Sequence, residues 1–384
     1  MITIKKIDRA TSIYEWNDTL NSGVDEILEL GVRRASDWGM ETNQASRILI
    51  SWNKHSNLYN SASVRLFAAN VENQSGDTRT VIQANQIKES WVEGTNKYFS
   101  SPQVASNGGG VSWANRFITI PHNAAGLDEA TLRAAGSTQS YQYQSSAPGP
   151  IFYTGSNSGS TEIQYPSSIS YKDADKWDLT IDVTVLQGII TESAEQPNGN
   201  SDINGLMIMH TPSAEKGDIL HPFLGPKRFF SNDTNTIYQP RLELKYNDYI
   251  WSTSKQTIGP VQATVYYKGN SGKYDSRSTI RLRPVVRESF PTASYSTSPQ
   301  ADNIKTFAAA RSIYSIVDVK TDEEIIGFDD TFTKVSADEE GMYFDLPLEG
   351  FPKDRIYRPI IKVYDRVAEN SIEFFDSKDH FEVV

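Results

Sequence analysis

The side chains that most often carry chemistry are few in this chain and widely spaced. Five histidines, His55, His122, His210, His221 and His380, are placed so that no two share a metal-ligand spacing such as H-x-x-x-H. Serine is abundant, but no G-x-S-x-G elbow presents one as a nucleophile. Cysteine is absent, which excludes disulfides, thiolate nucleophiles and Cys-ligated zinc or iron–sulfur sites. Three acidic runs remain: Asp322-Glu323-Glu324, Asp329-Asp330 and Asp338-Glu339-Glu340. Paired carboxylates do acid–base work when one is desolvated, and several oxygens together attract calcium. These runs are flanked by polar residues and Gly, so they read as solvated turns. Asn200–Gly205 (NSDING) echoes a calcium loop but has no Glu at the twelfth position. Asn107–Gly110 (NGGG) lacks a following Lys-Ser/Thr and leads into the strand-like VSWANRF, so it reads as a flexible turn, not a phosphate cradle. The expectation is a protein that is not an enzyme and that takes no cofactor or metal.

Aromatic residues say more. Trp91, Tyr98, Phe99 and Trp113 cluster around loops, where exposed rings stack on sugar faces or, alternatively, sink into a core edge with the indole N–H satisfied. Tyr141, Gln142 and Tyr143, followed by Phe152 and Tyr153, sit in a Ser/Gly-rich stretch. Tyrosine gives contact area at low entropy cost, and Ser and Gln add adaptable hydrogen bonds. Tyr141, Tyr143, Phe152 and Tyr153 are therefore the candidate interaction surface.

The elements that must position these residues are strands. Asp178–Val185 (DLTIDVTV) alternates most clearly, with Leu179, Ile181, Val183 and Val185 facing one way and Asp178, Thr180, Asp182 and Thr184 the other. Ser46–Trp52, Ser63–Phe67, Gly205–Met209, Val261–Tyr267, Thr279–Leu282 and Ile360–Tyr364 are apolar or β-branched runs of strand length. Gly, Ser, Asn and Pro clusters separate them. Helical pattern is limited to Leu127–Ala135 and Leu186–Thr191. Arg241–Tyr246 (RLELKY) reads as a half-buried ribbon with Arg241 and Lys245 in solvent and Leu242, Leu244 and Tyr246 inward.

With 384 residues, 38% hydrophobic, 22% charged and 11% aromatic, the chain suits two folded domains. The fold class expected is all-β: an antiparallel, jelly-roll-like sandwich over residues 1–248, then a smaller, Ig-like β-sandwich over 249–384. A long insertion at about 117–176 is expected to protrude from the first domain and contact a neighbouring subunit. The net charge of −11, without any Lys/Arg run, argues against direct nucleic-acid binding. No stretch approaches the roughly 20 apolar residues of a membrane span, and the opening MITIKKIDRATS has no signal-peptide core.

Residues 12–248 resemble DNRLRE-type β-sandwich domains, a family of secreted and surface-associated proteins grouped with carbohydrate-binding modules. The likeness rests on Thr19–Gly31, Ser46–Asn53, the "ASLRL"-like Ala62–Ala68, the "W-x-E-x-T" segment Ile87–Thr95 and the "W-N-x-R" segment Val111–Arg116. It continues through the "FDVT-x-L"-like Asp178–Leu186 and a closing element, Phe229–Tyr246, similar to "FSSRE…PRLEVTY". It makes Trp91, Trp113, Arg116 and Arg241 structural positions and favours buried tryptophans. Two departures stand out: the long insertion, and Ser231-Asn232-Asp233 where the family often has Ser-Arg-Glu. Ser312–Lys362 resembles segments of virion structural proteins of large T4-like tailed bacteriophages, chiefly at Ile325–Lys334, Gly341–Leu346 and Gly350–Tyr357.

Together these likenesses imply a structural virion protein of the neck, tail, baseplate or capsid surface, assembled in the host cytoplasm. Its expected partners are other virion proteins and further copies of itself in a symmetric homo-oligomer. The alternative is a carbohydrate-binding module used in host-surface adsorption.

Overall fold

The computed structural model describes residues 1–33, 43–53, 59–71, 79–87, 91–98, 110–117, 120–121, 160–166, 178–184, 205–210, 215, 226–291, 303–364 and 372–384. The molecule is all-β, with several antiparallel sheets in a sandwich-like architecture. Among the described residues, helical structure is limited to the 3-10 turns Glu15–Asn17 and Pro260–Gln262 and to Glu215. The expected helices at 127–135 and 186–191 lie outside the described residues.

The chain divides into two compact units, residues 6–242 and residues 1–5 with 243–384. The division falls inside the ribbon expected to close the first domain, not after residue 248. The N-terminal strand's Ile2 and Ile4 are 5% and 1% exposed and belong to the core of the C-terminal unit. Burying two isoleucines outweighs proximity in sequence.

The unit of residues 6–242 holds β2 (Arg9–Tyr14), β3 (Ile27–Arg33), β4 (Gln44–Ser51), β5 (Ser61–Leu66), β6 (Ala68–Val71), β7 (Arg79–Gln86), β8 (Asn115–Phe117), β9 (Ile120–Pro121), β10 (Ser160–Pro166), β11 (Leu179–Asp182), β12 (Leu206–His210) and β13 (Lys227–Phe230). Its main sheet runs β10-β7-β12-β4-β3-β13-β6, with β2 also on β4. Ile48, Leu49 and Ile50 of β4 are fully buried, as are Leu206 to Met209 of β12. A continuous apolar run is what a strand covered on both faces requires. β11 pairs antiparallel with β5, placing Leu179 beside Leu66 and Ile181 beside Val64, all buried, while Thr180 and Asp182 are exposed. The expected alternation is therefore observed at 179–182.

Part of the expected insertion belongs to the fold. β10 lies within residues 117–176, yet it pairs with β7 over seven residues, from Ser160↔Asn85 to Pro166↔Arg79. A strand in the main sheet is no protruding decoration.

The C-terminal unit takes all but the last residue of β1 (Ile2–Lys6) and the part of the neighbouring β14 (Arg241–Lys245) from Glu243 on, Arg241 and Leu242 belonging to the other unit; it then holds β15 (Ala263–Lys268), β16 (Lys273–Tyr274), β17 (Thr279–Glu288), β18 (Ser312–Asp318), β19 (Glu324–Ile326), β20 (Ser336–Asp338), β21 (Gly341–Pro347), β22 (Arg355–Tyr364), β23 (Ile372–Phe375) and β24 (Phe381–Val383). One sheet runs β15-β17-β21-β20; the other runs β16-β24-β22-β18-β19, with β23 on β22. The β16–β24 pair is parallel. The two sheets share one core. Across it Tyr314 of β18 stacks on Phe344 of β21 at 4.1 Å between centroids, and Tyr267 of β15 meets Phe344 edge-on at 6.4 Å. Aromatic pairs at such distances add about 0.5–1.5 kcal/mol beyond the area they bury.

In β14, Leu242 and Leu244 are fully buried, as the alternation requires. Arg241 departs from the expectation: it is buried, with its guanidinium carbon 5.2 Å from the centroid of the Phe67 ring. A guanidinium is weakly hydrated and stacks on aromatic faces, so it tolerates a position that a lysine would not. Lys245 is half-buried and pairs with Asp329 at 3.0 Å; Tyr246 is likewise half-buried.

Candidate functional site

Asp322, Asp329 and Asp338 of the three acidic runs, and Asp318 ahead of the first, are built as latches. Asp318 accepts Arg355 Nη2 at 2.8 Å and the Lys320 and Thr321 amides at 2.8 and 3.1 Å. Burial would raise its pKa, but the Arg355 fork and these amides prevail and hold it below the ordinary carboxylate value. Asp329 is partly buried as well, which again would raise its pKa. The Thr331 amide, Lys245 and the Phe332 amide outweigh that effect and lower it. Asp338 is lowered chiefly by its bidentate bond to Arg283, at 2.9 and 2.8 Å. Asp322 pairs with Arg358 at 2.8 Å. A carboxylate held low by a fork of donors is a poor proton shuttle at neutral pH.

The two tryptophans are core residues. Trp91 and Trp113 are 2% and 1% exposed and cluster with Ile13, Ala45, Leu49, Ile87, Val111, Met207 and Met209. Buried rings offer no face to a sugar. The Trp113 indole nitrogen, expected to be satisfied, has no hydrogen-bond partner among the described residues. The Arg47 guanidinium instead lies 4.4 Å from the Trp113 ring centroid and is held by buried Glu215 through Nη2–Oε2 at 2.7 Å and Nε–Oε1 at 3.2 Å. Arg116 lies in β8. Tyr141, Tyr143, Phe152 and Tyr153 lie outside the described residues, as does all but Gly205 of the NSDING segment.

Around Trp91 the structure builds a polar knot that pattern reading missed. Arg9 Nη1 donates to the Trp91 carbonyl at 2.7 Å. Two residues on, Glu93 Oε1 accepts the Ala10 amide at 2.6 Å and Asn232 Nδ2 at 3.2 Å. Asn21 Nδ2 donates to the Glu93 and Val111 carbonyls at 2.6 and 2.9 Å, and its Oδ1 accepts the Asn96 amide at 3.2 Å. Gly94, at φ +84°, is required here: a Cβ would lie 2.3 Å from Asn21 Oδ1 and 2.5 Å from the Gly110 Cα. Gly110 of the NGGG run is thus a close-approach position, not a free turn. Burial pushes the Glu93 carboxyl up to about 7, and burial pushes Asp25, which accepts the Tyr98 amide, up to about 6. The one available sequence signal was the "W-x-E-x-T" likeness, because Asn232 stands in the closing element and the two segments meet at the Glu93 carboxylate. A neutral amide at 232 gives Glu93 a hydrogen bond without a counter-charge. Arg9, Asn21 and Glu93 are bonded to other segments of the chain, so the knot ties those segments together; Asn232 Oδ1 is buried with no hydrogen-bond partner among the described residues.

Among the described residues, most of the exposed large apolar side chains belong to the C-terminal unit. On the outer face of β22 and β23, Ile356, Ile372 and Phe374 are 48%, 44% and 59% exposed. Phe328 meets Phe374 edge-on at 5.9 Å, and Lys362, opposite Phe374, lies 5.7 Å from the Phe328 centroid and 4.9 Å from that of Tyr364. Among the described residues no group of three or more His, Asp or Glu stands where it could hold a metal ion. No helix of the described residues is long and apolar enough to cross a membrane. No protein-family model matches the chain, and no curated protein matches it.

Proposed function

We propose that this chain is a structural component of a tailed bacteriophage virion, at the neck, tail, baseplate or capsid surface, acting through protein–protein assembly contacts. The observation that carries the reading is the outer face of β22 and β23, where Ile356, Ile372 and Phe374 are exposed among Arg358, Lys362 and Tyr364. It stands on a unit in which Asp318, Asp329 and Asp338 are locked to arginines, lysine and backbone amides. Exposed apolar patches mark contact surfaces, and a rigid β framework keeps them in a fixed place. The resemblance of Ser312–Lys362 to virion proteins supplies the biological setting.

The carbohydrate-binding alternative draws on the likeness of residues 12–248 to DNRLRE-type domains. Burial of Trp91 and Trp113 deprives it of its clearest stacking platform. The deciding experiment is to probe purified phage particles with a labelled antibody to the chain while screening the intact chain on a glycan array. The expected outcome is label at one fixed position on the particle and no retained glycan. A chain missing from particles, or one held by a host polysaccharide, overturns the assembly reading.

A further inference from the structure

Edge strands of a sheet expose unpaired N–H and C=O groups, and proteins that stay apart blunt them. In the C-terminal unit four edges are blunted. β15 ends in Lys268, and its Tyr267 amide is capped by Asp379 Oδ2 at 3.0 Å. The far side of β20 is taken by the backbone of residues 250–252: the Ala337 amide donates to the Ile250 carbonyl at 3.0 Å and the Ser252 amide to the Ala337 carbonyl at 2.9 Å. β16 and β19 are only two and three residues long. β23 is different. It pairs with β22 on one side, and no described residue pairs with the other. Its sequence, IEFF, contains no Pro or Lys, and it exposes Ile372 and Phe374. It is nevertheless firmly seated, since Phe375 packs on the core against Phe307 at 5.3 Å.

We infer that β23 is a self-docking edge, at which two copies of this chain pair antiparallel about a two-fold axis through Phe374. An isologous contact sets a surface against its own copy, and at this edge the exposed Phe374 ring can meet its own copy. Residues directly opposed across an antiparallel pair lie on the same face. With the axis at Phe374, the two Phe374 rings oppose each other, Glu373 meets Phe375 of the second copy, and Ile372 meets Asp376. No like charges are opposed. A register shifted by two residues one way sets Glu373 against itself, which disfavours it; shifted the other way it centres on Phe375, whose side chain is held against the core. Phe328 stands against Phe374, with Lys362 and Tyr364 beside it, so each copy brings an aromatic cluster to the axis. The pairing rests on this edge alone: if it fails while the chain is still found in particles, the assembly reading stands and other virion proteins cover the patch.

The absence of cysteine makes the test direct. Opposed residues in an antiparallel pair have Cα atoms about 4.5–5.5 Å apart, inside the range a disulfide spans. The full-length Phe374→Cys variant should form a disulfide-linked dimer under mild oxidation, well ahead of Val261→Cys, whose residue is 72% exposed elsewhere on the same unit. Sedimentation velocity should show a concentration-dependent dimer for the wild type. Phe374→Lys should weaken it by at least tenfold with the circular dichroism spectrum unchanged. A wild type that is monomeric at every concentration overturns the inference. So does a Phe374→Cys variant that links no faster than Val261→Cys, or a dimer that survives Phe374→Lys. Loss of glycan retention in Phe374→Lys by a monomeric chain also overturns it, by assigning the patch to sugar.

Discussion

Glu93 and His210 pull the pH dependence of the residue 6–242 unit in opposite directions. The Glu93 carboxyl is raised to about 7 from 4.5, burial being the main cause. A carboxyl raised by folding costs nothing below its unfolded value; the cost grows as pH rises from 4.5 to the folded value of about 7 and is constant above it. Glu93→Gln keeps the oxygen that accepts Ala10 and Asn232. It should leave stability unchanged at pH 4 and raise it by about 1 kcal/mol at pH 8, the figure being discounted for partial exposure. His210 is fully buried, with neither ring nitrogen hydrogen-bonded among the described residues, and is lowered to about 3 by burial first and by Lys227 second. A histidine depressed by folding contributes stability that is present above its unfolded value of 6.5 and lost as pH falls towards 3. The loss amounts to about 3 kcal/mol by pH 4. His210→Leu should flatten that acid limb. Urea denaturation of the wild type and both variants from pH 4 to 8 reads all of this, and parallel curves for the three proteins refute it.

At the scale of elements, the loop carrying Glu93 is shaped by Gly94. Its φ of +84° lies in the left-handed region, and any Cβ would meet Asn21 and Gly110 within 2.5 Å. Strain and overpacking add, so Gly94→Ala should cost about 3 kcal/mol. The loss should be smaller in an Asn21→Gly background, where the clashing amide is gone; equal losses in both backgrounds would place the cost elsewhere. The same scale shows where pattern reading falls short. Strands such as 179–182 were legible because one face is buried and one is wet, so period two survives in the sequence. β10 (STEIQYP) reads as part of an insertion because Ser- and Gly-rich stretches surround it. Only its seven-residue pairing with β7 marks it as part of the sheet.

For the whole molecule, the consequential finding is that the C-terminal unit is discontinuous in sequence. Ile4 is 1% exposed within the same core as Tyr314, Phe344 and Ile361. Truncating a buried isoleucine to alanine costs about 2–5 kcal/mol. Ile4→Ala should therefore speed amide exchange in β18, β21 and β22, strands more than 300 residues further along the chain by the numbering of Ile4 and Ser312, while β4 and β12 keep their protection. Faster exchange in β4 and β12 with none in β22 would reverse the assignment of the N-terminal strand.

The amino-acid sequence by itself determined the fold class, the lack of thiol chemistry and the strands with one wet face, because alternation and composition are local properties. It also placed Leu242 and Leu244 inward. Tertiary structure alone decided that Arg241 is buried over Phe67, that Asn232 reaches Glu93, that residues 1–5 join the far end of the chain, and that β23 is left with an open edge. Each of these depends on which segments meet in space. A contact between residues over a hundred positions apart leaves no period in the sequence from which to read it.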